Sequence, residues 1–218
     1  MTGESILKIS ACILSGYLLG CLSPAFIIGL FKGYDVRKSG SKNAGASNTF
    51  LMAGKMAGLV VAVSDILKAA LAWYMAALIF PEARLAPIIG GVSCIIGHMY
   101  PVFLRFKGGK GLACLGGVAL AYSPKSFVLM LSLALLIAAV TNYVCMVTVG
   151  MSIIFPAYYG IMTGFWLGAI VLFLPAIPIF IKHLENFRRI RDGQELRLSY
   201  LWNKEGELER TGYEDTKS

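Results

Sequence analysis

Several short stretches of this chain hold residues that could act on a charged substrate. Residues 97–111 read GHMYPVFLRFKGGKG, which sets His98, Lys107 and Lys110 beside Gly108, Gly109 and Gly111 at the end of an apolar run. Cationic side chains next to bare backbone amides make a cradle for phosphate. Residues 40–48 read GSKNAGASN. There Gly40 and Gly45 let amides approach an anion, and Ser41, Lys42, Asn43 and Asn48 can bind hydroxyls or phosphate oxygens. Residues 141–145, TNYVC, interrupt two apolar runs and contribute Asn142. After the last apolar run, His183 and Asn186 stand three apart, a spacing that puts both on one helical face.

These patterns also exclude chemistry. KGGKG is not a nucleotide-binding P-loop, because Leu104 stands where the first glycine belongs and Gly111 follows the lysine in place of Ser or Thr. Anion binding at the start of the following helix remains, favoured by dipole, amides and lysine charge together. Phe103 and Arg188 occupy the positions where a His-x4-Asp acyltransfer dyad would put its aspartate after His98 or His183, and no Ser-His-acid set assembles. His98 alone reads more readily as structural than as catalytic; within its motif it is a substrate-binding candidate. Asp65 and Lys68, three apart, either pair with each other or line a cavity. The five cysteines form no CxxC pair, which argues against a disulfide or zinc framework. No metal, cofactor or nucleic-acid partner is expected.

The elements that must position these residues belong to a membrane. Of the 218 residues, 57% are hydrophobic and 15% charged, against about a quarter charged in a soluble domain. Apolar runs cover residues 6–31, 56–80, 85–103, 111–122, 126–140, 145–162 and 165–181. The expected fold is therefore all-α, a polytopic membrane protein of about seven transmembrane helices. It divides into a membrane domain, 1–181, and a charged cytoplasmic tail, 182–218. The first run is too long for a signal sequence and is retained as a helix. The run 111–122 is short for a hydrocarbon core of about 30 Å, and its Gly and Ala suit close helix packing. Irregular backbone at that depth needs cover from protein or a wet cavity, so parts of the first loop and of the 141–144 connection are expected to be re-entrant. Lys and Arg gather in the first loop, in 105–110 and in the tail, whereas the alternate turns carry only Arg84 and Lys125. The positive-inside rule then sets the N-terminus outside and the C-terminus in the cytoplasm, with every polar motif on the cytoplasmic face.

With those motifs in place, the chain resembles the bacterial acyl-phosphate:glycerol-3-phosphate acyltransferases, the PlsY family, over nearly its whole length. The resemblance rests on 40–48, on GHMYP at 97–101 running through FKGGKG at 106–111, on 141–145, on Asp65 and Lys68, and on His183, Asn186, Gly193 and Glu195. It implies seven helices in the bacterial cytoplasmic membrane and a site facing the cytoplasm. There an acyl group would pass from acyl phosphate to the sn-1 hydroxyl of glycerol 3-phosphate, giving lysophosphatidic acid at the first step of phospholipid synthesis, with no metal or cofactor. Ser41, Lys110, His183 and Asn186 are the expected catalytic group. Lys110 and nearby amides would hold one phosphate, Ser41 and Asn43 would place the reacting carbonyl or hydroxyl, and membrane lipids would border the acyl groove. The chain departs from the family where Leu51 stands for an arginine, Lys42 for a small residue, and Asn142 and Cys145 for Arg and Ser. Two other readings use the same cationic loops: a paralogue with a different phosphorylated acceptor, and a small transporter of phosphorylated solutes.

Overall fold

A computed structural model describes residues 3–212 of the chain. The end of the charged tail, 213–218, lies outside the described residues. The first apolar run forms two consecutive pieces, α1 (Gly3–Cys21) and α2 (Pro24–Phe31). The break falls at Leu22 and Ser23. Pro24 has no N–H to continue the ladder but suits the first helical position, and the Ser23 hydroxyl accepts from Phe26 N at 3.3 Å. A loop then leads to a short helix, α3 (Ala46–Ala53), which folds back onto the long α4 (Lys55–Ile79). Next come α5 (Ala86–Met99), extended by a 3-10 turn at Val102–Leu104, then α6 (Leu112–Tyr122), α7 (Pro124–Thr141) and α8 (Val144–Thr163). The last run is again in two pieces, α9 (Trp166–Phe173) and α10 (Ala176–Arg191), separated by Pro175. A second 3-10 turn, Leu198–Leu201, precedes α11 (Lys204–Thr211). No strand occurs among the described residues.

Six segments are long and apolar enough to cross a bilayer: Gly3–Phe31, Lys55–Ile79, Ala86–Leu104, Pro124–Thr141, Val144–Thr163 and Trp166–Arg191. The seventh expected helix, α6, has only 11 residues. The all-α polytopic fold is thus as the hydropathy runs require, with one difference of detail. The last helix does not stop near residue 181 but continues to Arg191, so His183 and Asn186 sit on the extension of a membrane span.

Small residues set how close the helices come. Gly16 and Gly20 of α1 face the carbonyls of Gly90 and Cys94 on α5, and Gly97 of α5 faces the carbonyl of Tyr17. A Cβ at any of the three would run into that backbone, so α1 and α5 meet main chain to main chain. Tyr17 Oη closes the same seam on Tyr100 O at 2.8 Å. Around α5 and α6, a core of Ile88, Ile95, Met99, Leu115, Val118, Met151, Phe155 and Ile179 excludes solvent, while Leu7, Leu78, Val140 and Ile161 point outward as a lipid-facing surface should.

The ends of the bundle differ. At one end Arg84 lies over the Phe165 ring at 4.4 Å and reaches Thr163 O at 3.5 Å. At the other end the first loop meets the turn after α5, where Arg37 Nη1 donates to Leu104 O at 3.3 Å. There too Lys110 meets Asn186, and Leu198 N donates to Asn142 O at 2.7 Å. All four polar stretches therefore collect at a single end.

Candidate active site

The first loop is shaped by two side chains. Arg37 forms a fork with Asp35, at 2.9 Å from Nε and 2.8 Å from Nη2, and stacks on Phe26 at 4.9 Å. The hydrogen bonds from Arg37 hold the Asp35 carboxyl down at about 2. Asn48 is fully buried, and both ends of its amide bind loop backbone. Its Oδ1 accepts from Ser41 N at 2.8 Å, and its Nδ2 donates to Val36 O and Ser39 O at 3.0 Å each. Residues 36–41 wrap this one side chain, because a buried amide must find partners. Ser41 and Asn43 are left half-buried and Lys42 exposed, the last in a left-handed conformation with φ 57°. Gly45 stands at the start of α3, where its carbonyl accepts from Thr49 Oγ1 at 3.1 Å. Gly40 lies against Asn48.

The second loop runs back along the end of α5. Gly108 N donates to Met99 O at 3.2 Å and Gly109 N to His98 O at 3.0 Å. A side chain on Gly109 would collide with the His98 ring at Nε2 and press on Ala44 O. Only glycine lets the loop pass between the imidazole and the first loop, and so the two motifs touch. Gly111, with φ 95°, turns the chain into α6, whose first turn has no side-chain cap, so its first amides lack side-chain partners just after Lys110. Lys107 is exposed. Burial pushes the Lys110 ammonium below its usual pKa and the Arg189 charge adds to that, while the Glu195 carboxylate opposes it.

α10 supplies the third wall. Lys110 Nζ donates to Asn186 Oδ1. Asn186 Nδ2 donates to Glu195 Oε1 at 2.5 Å, and Arg189 Nε to Glu195 Oε2 at 2.6 Å. The Glu195 carboxylate thereby fixes which end of Asn186 faces the lysine. His183 is buried, with Nδ1 2.7 Å from Ile179 O. A carbonyl only accepts, so Nδ1 carries a proton, and in the neutral ring Nε2 is then the acceptor. Lys182, which the motif reading did not single out, lies over the Tyr100 ring at 4.8 Å. Asn142 instead meets the tail: it ends α7 in a left-handed turn, and its Oδ1 accepts from Ser199 N at 3.0 Å.

Beneath the loops lies a buried ionic cluster. Lys68 Nζ is 2.6 Å from Asp65 Oδ1, 2.7 Å from Leu22 O and 3.1 Å from His98 Nδ1. His98 Nδ1 is also 3.3 Å from Asp65 Oδ1. Asp65, His98 and Cys114 present donor atoms within 4.8 Å of one another, a set that could hold a metal ion, but the Lys68 ammonium already stands among them as the compensating charge. The pair of Asp65 and Lys68 was legible from its spacing; that it forms the floor under His98, and so under Gly109, was not. Glu195 and Arg189, which orient Asn186, give no sequence signal of that role beyond the resemblance at Glu195.

What the arrangement offers chemically is a set of loop amides, two hydrogen-bonding side chains at Ser41 and Asn43, a half-buried lysine, an oriented amide and a histidine held through Nδ1 by a backbone carbonyl. A family model described as Glycerol-3-phosphate acyltransferase matches residues 10–193. A protein of Enterococcus faecalis named Glycerol-3-phosphate acyltransferase is 37% identical over 208 residues, covering 89% of this chain and 94% of that one. A Bacillus subtilis protein of the same name is 34% identical over 198 residues, covering 88% and 99%. Among solved structures, the chain is similar to crystal structures of PlsY (YgiH), described as an integral membrane glycerol 3-phosphate acyltransferase. The glycerol 3-phosphate form has a TM-score of 0.78 at 31% identity, covering 88% of this chain and 96% of that one. The lysophosphatidic acid form has a TM-score of 0.75 at the same identity, covering 87% and 94%.

Proposed function

The chain belongs to the glycerol-3-phosphate acyltransferase family and is a membrane enzyme of phospholipid synthesis, and from that premise we propose that it takes its acyl group from acyl phosphate and delivers it to the sn-1 hydroxyl of glycerol 3-phosphate. The observation that carries the donor assignment is the meeting of two glycine-and-cation loops at Ala44 and Gly109, with Lys110 between them and α10. Two phosphorylated substrates need two anion cradles side by side. An acyl phosphate also arrives activated, so the lack of an aspartate five residues after His98 or His183 is no obstacle.

In this reading Lys110 and the first-turn amides of α6 bind one phosphate, Ser41 and Asn43 orient the reacting groups, and His183 and Asn186 close the pocket. Lys42, exposed beside Ser41, supplies charge that the family takes from the arginine replaced here by Leu51. The hydroxyl oxygen attacks the acyl carbon, an ester C–O bond forms, and the bond from that carbon to the phosphate oxygen breaks. The hydroxyl proton ends on the departing phosphate, so no protein base is consumed. Positioning and charge neutralisation then supply most of the rate. The site faces the cytoplasm and the helices span the bacterial cytoplasmic membrane, a reading supported by the basic residues of the first loop, of 105–110 and of the tail. Residues 1–181 form the membrane part and 182–218 the cytoplasmic extension.

The test is purified enzyme with glycerol 3-phosphate and, separately, acyl phosphate, acyl-CoA and acyl carrier protein as donors. Lysophosphatidic acid and inorganic phosphate should appear in equal amounts from acyl phosphate alone. Product from acyl-CoA at a comparable rate would reject the donor assignment. Lys110→Ala should lower kcat/KM about 10²–10³-fold, with part of the loss in the KM of the substrate whose phosphate the lysine holds.

A further inference from the structure

The chain after residue 193, beyond the stretch that the family model matches, is tied to the site by an unbroken line of hydrogen bonds. Arg210 of α11 donates through Nη2 to Glu195 O at 2.6 Å and through Nη1 to Gly193 O. Its guanidinium is held in turn by Glu207, at 2.6 Å. Glu207 is 5% exposed. Its carboxylate also accepts from Arg197 N at 3.2 Å and Ser199 Oγ at 3.0 Å. Ser199 N binds Asn142 at the end of α7. The tail is therefore anchored to the bundle at one point and grips the backbone on both sides of Gln194 at another. The Glu195 side chain then orients Asn186, and Asn186 receives Lys110.

We propose that Glu207 and Arg210 are positioning residues for Lys110: they clamp the backbone of Gly193 and Glu195 so that the Glu195 carboxylate holds Asn186 in the one orientation that aims the lysine into the phosphate cradle. The physical case is that a lysine has a flexible stem and aims well only if its partners are rigid. Asn186 presents its oxygen to Lys110 only while a carboxylate takes its NH2 group. Glu195 sits after a left-handed glycine, Gly193 with φ 73°, outside any helix, and among the described contacts its main-chain carbonyl is held by Arg210. Glu207 gains nothing by being buried; burial alone raises its pKa, and the hydrogen bonds of Arg210, Arg197 and Ser199 hold the carboxyl below its ordinary value. A buried carboxylate with every oxygen partnered, on a short terminal helix, is the mark of a clamp and not of loose packing.

The inference rests on the reading of Lys110 as a phosphate ligand. Its test uses the full chain in lipid bilayers, with KM for glycerol 3-phosphate, KM for acyl phosphate and kcat measured separately, alongside the thermal midpoint. Lys110→Ala identifies which substrate's KM depends on that lysine. Arg210→Ala should raise the KM of that same substrate about tenfold and leave the other within twofold, and Arg210→Lys should recover part of the loss. Arg191→Ala, a change of equal charge at an exposed neighbouring site, should leave both values unchanged. Should Arg210→Ala fail to accumulate, Glu207→Gln gives the same reading, since it removes the partner and keeps the guanidinium. A tail with only a structural role would lower the midpoint and the active fraction while sparing KM, and that result overturns the proposal. If Lys110→Ala itself leaves both KM values unchanged, the phosphate reading fails and this inference with it. If Lys110→Ala shifts one and Arg210→Ala shifts neither, only the clamp is lost.

Discussion

Lys110 shows how residue type and residue setting divide the information. Its place in a glycine-and-cation run was plain from the sequence, but its partner Asn186 is 76 residues away. The setting changes its acid–base behaviour. Burial, then the charge of Arg189, lowers its pKa from the ordinary lysine value. The protonated form is the one that holds phosphate, so it is complete at low pH and is lost as pH rises through the depressed value. The kcat/KM profile, which reports the free enzyme, should therefore fall on its alkaline side before an ordinary lysine would titrate. Lys110→Arg should have lower kcat/KM at neutral pH, because a planar fork does not replace a point charge. It should also lose that alkaline limb, since a guanidinium stays protonated. A limb at the same pH in both enzymes would assign it to another group. Asn48 teaches the converse. Its type suggested direct binding of hydroxyls or phosphate, yet Val36, Ser39 and Ser41 occupy both ends of its amide, so its service to the site runs through the shape of the loop.

At the scale of elements, hydropathy gave the order of the apolar helices because lipid demands about 20 apolar residues per crossing, though α6, with 11 residues, falls short of that length. It could not give the breaks. Residues 6–31 and the last run read as continuous, and Pro24 and Pro175 divide them without any loss of apolar character. The first break has a use: Leu22 O, left outside the helical ladder, becomes a ligand of the Lys68 ammonium. Nor could it give the α1–α5 seam, because glycines in an apolar run look alike whether they face lipid or a neighbour. The seam carries the strongest stability prediction. Gly20→Val puts a branched side chain onto the Cys94 carbonyl and must push α1 away from α5. It should cost at least the 1–3 kcal/mol usual for overpacking, read as a lowered thermal midpoint in detergent. Gly3→Val, with nothing near it, should leave the midpoint unmoved.

At the scale of the whole molecule, the alternation of strongly and weakly basic connections foretold that four separate stretches would share one end of the bundle, and they do. What charge counting could not foretell is how they interlock: Ala44 against Gly109, Lys110 on Asn186, Asn142 on Ser199. Those contacts depend on helix rotation and tilt, which packing decides and composition does not. The sidedness itself is open to a direct test. Cysteines introduced at Lys42 and at Glu82, both exposed and at opposite ends of the bundle, should react with an impermeant thiol reagent from opposite sides. The Lys42→Cys site should be reached only when the cytoplasmic face is open. Labelling of both sites from the same side would refute the arrangement.

One last consequence follows from the length of α6. Eleven residues rise only about 17 Å, roughly half the hydrocarbon thickness. None of its residues is exposed, because α4, α5, α7 and α8 enclose it, so protein makes up the shortfall and the surrounding lipid meets the longer helices instead. Turnover should then change little between thin short-chain membranes and thick ones, because the host lipid does not reach the helix that opens onto the site.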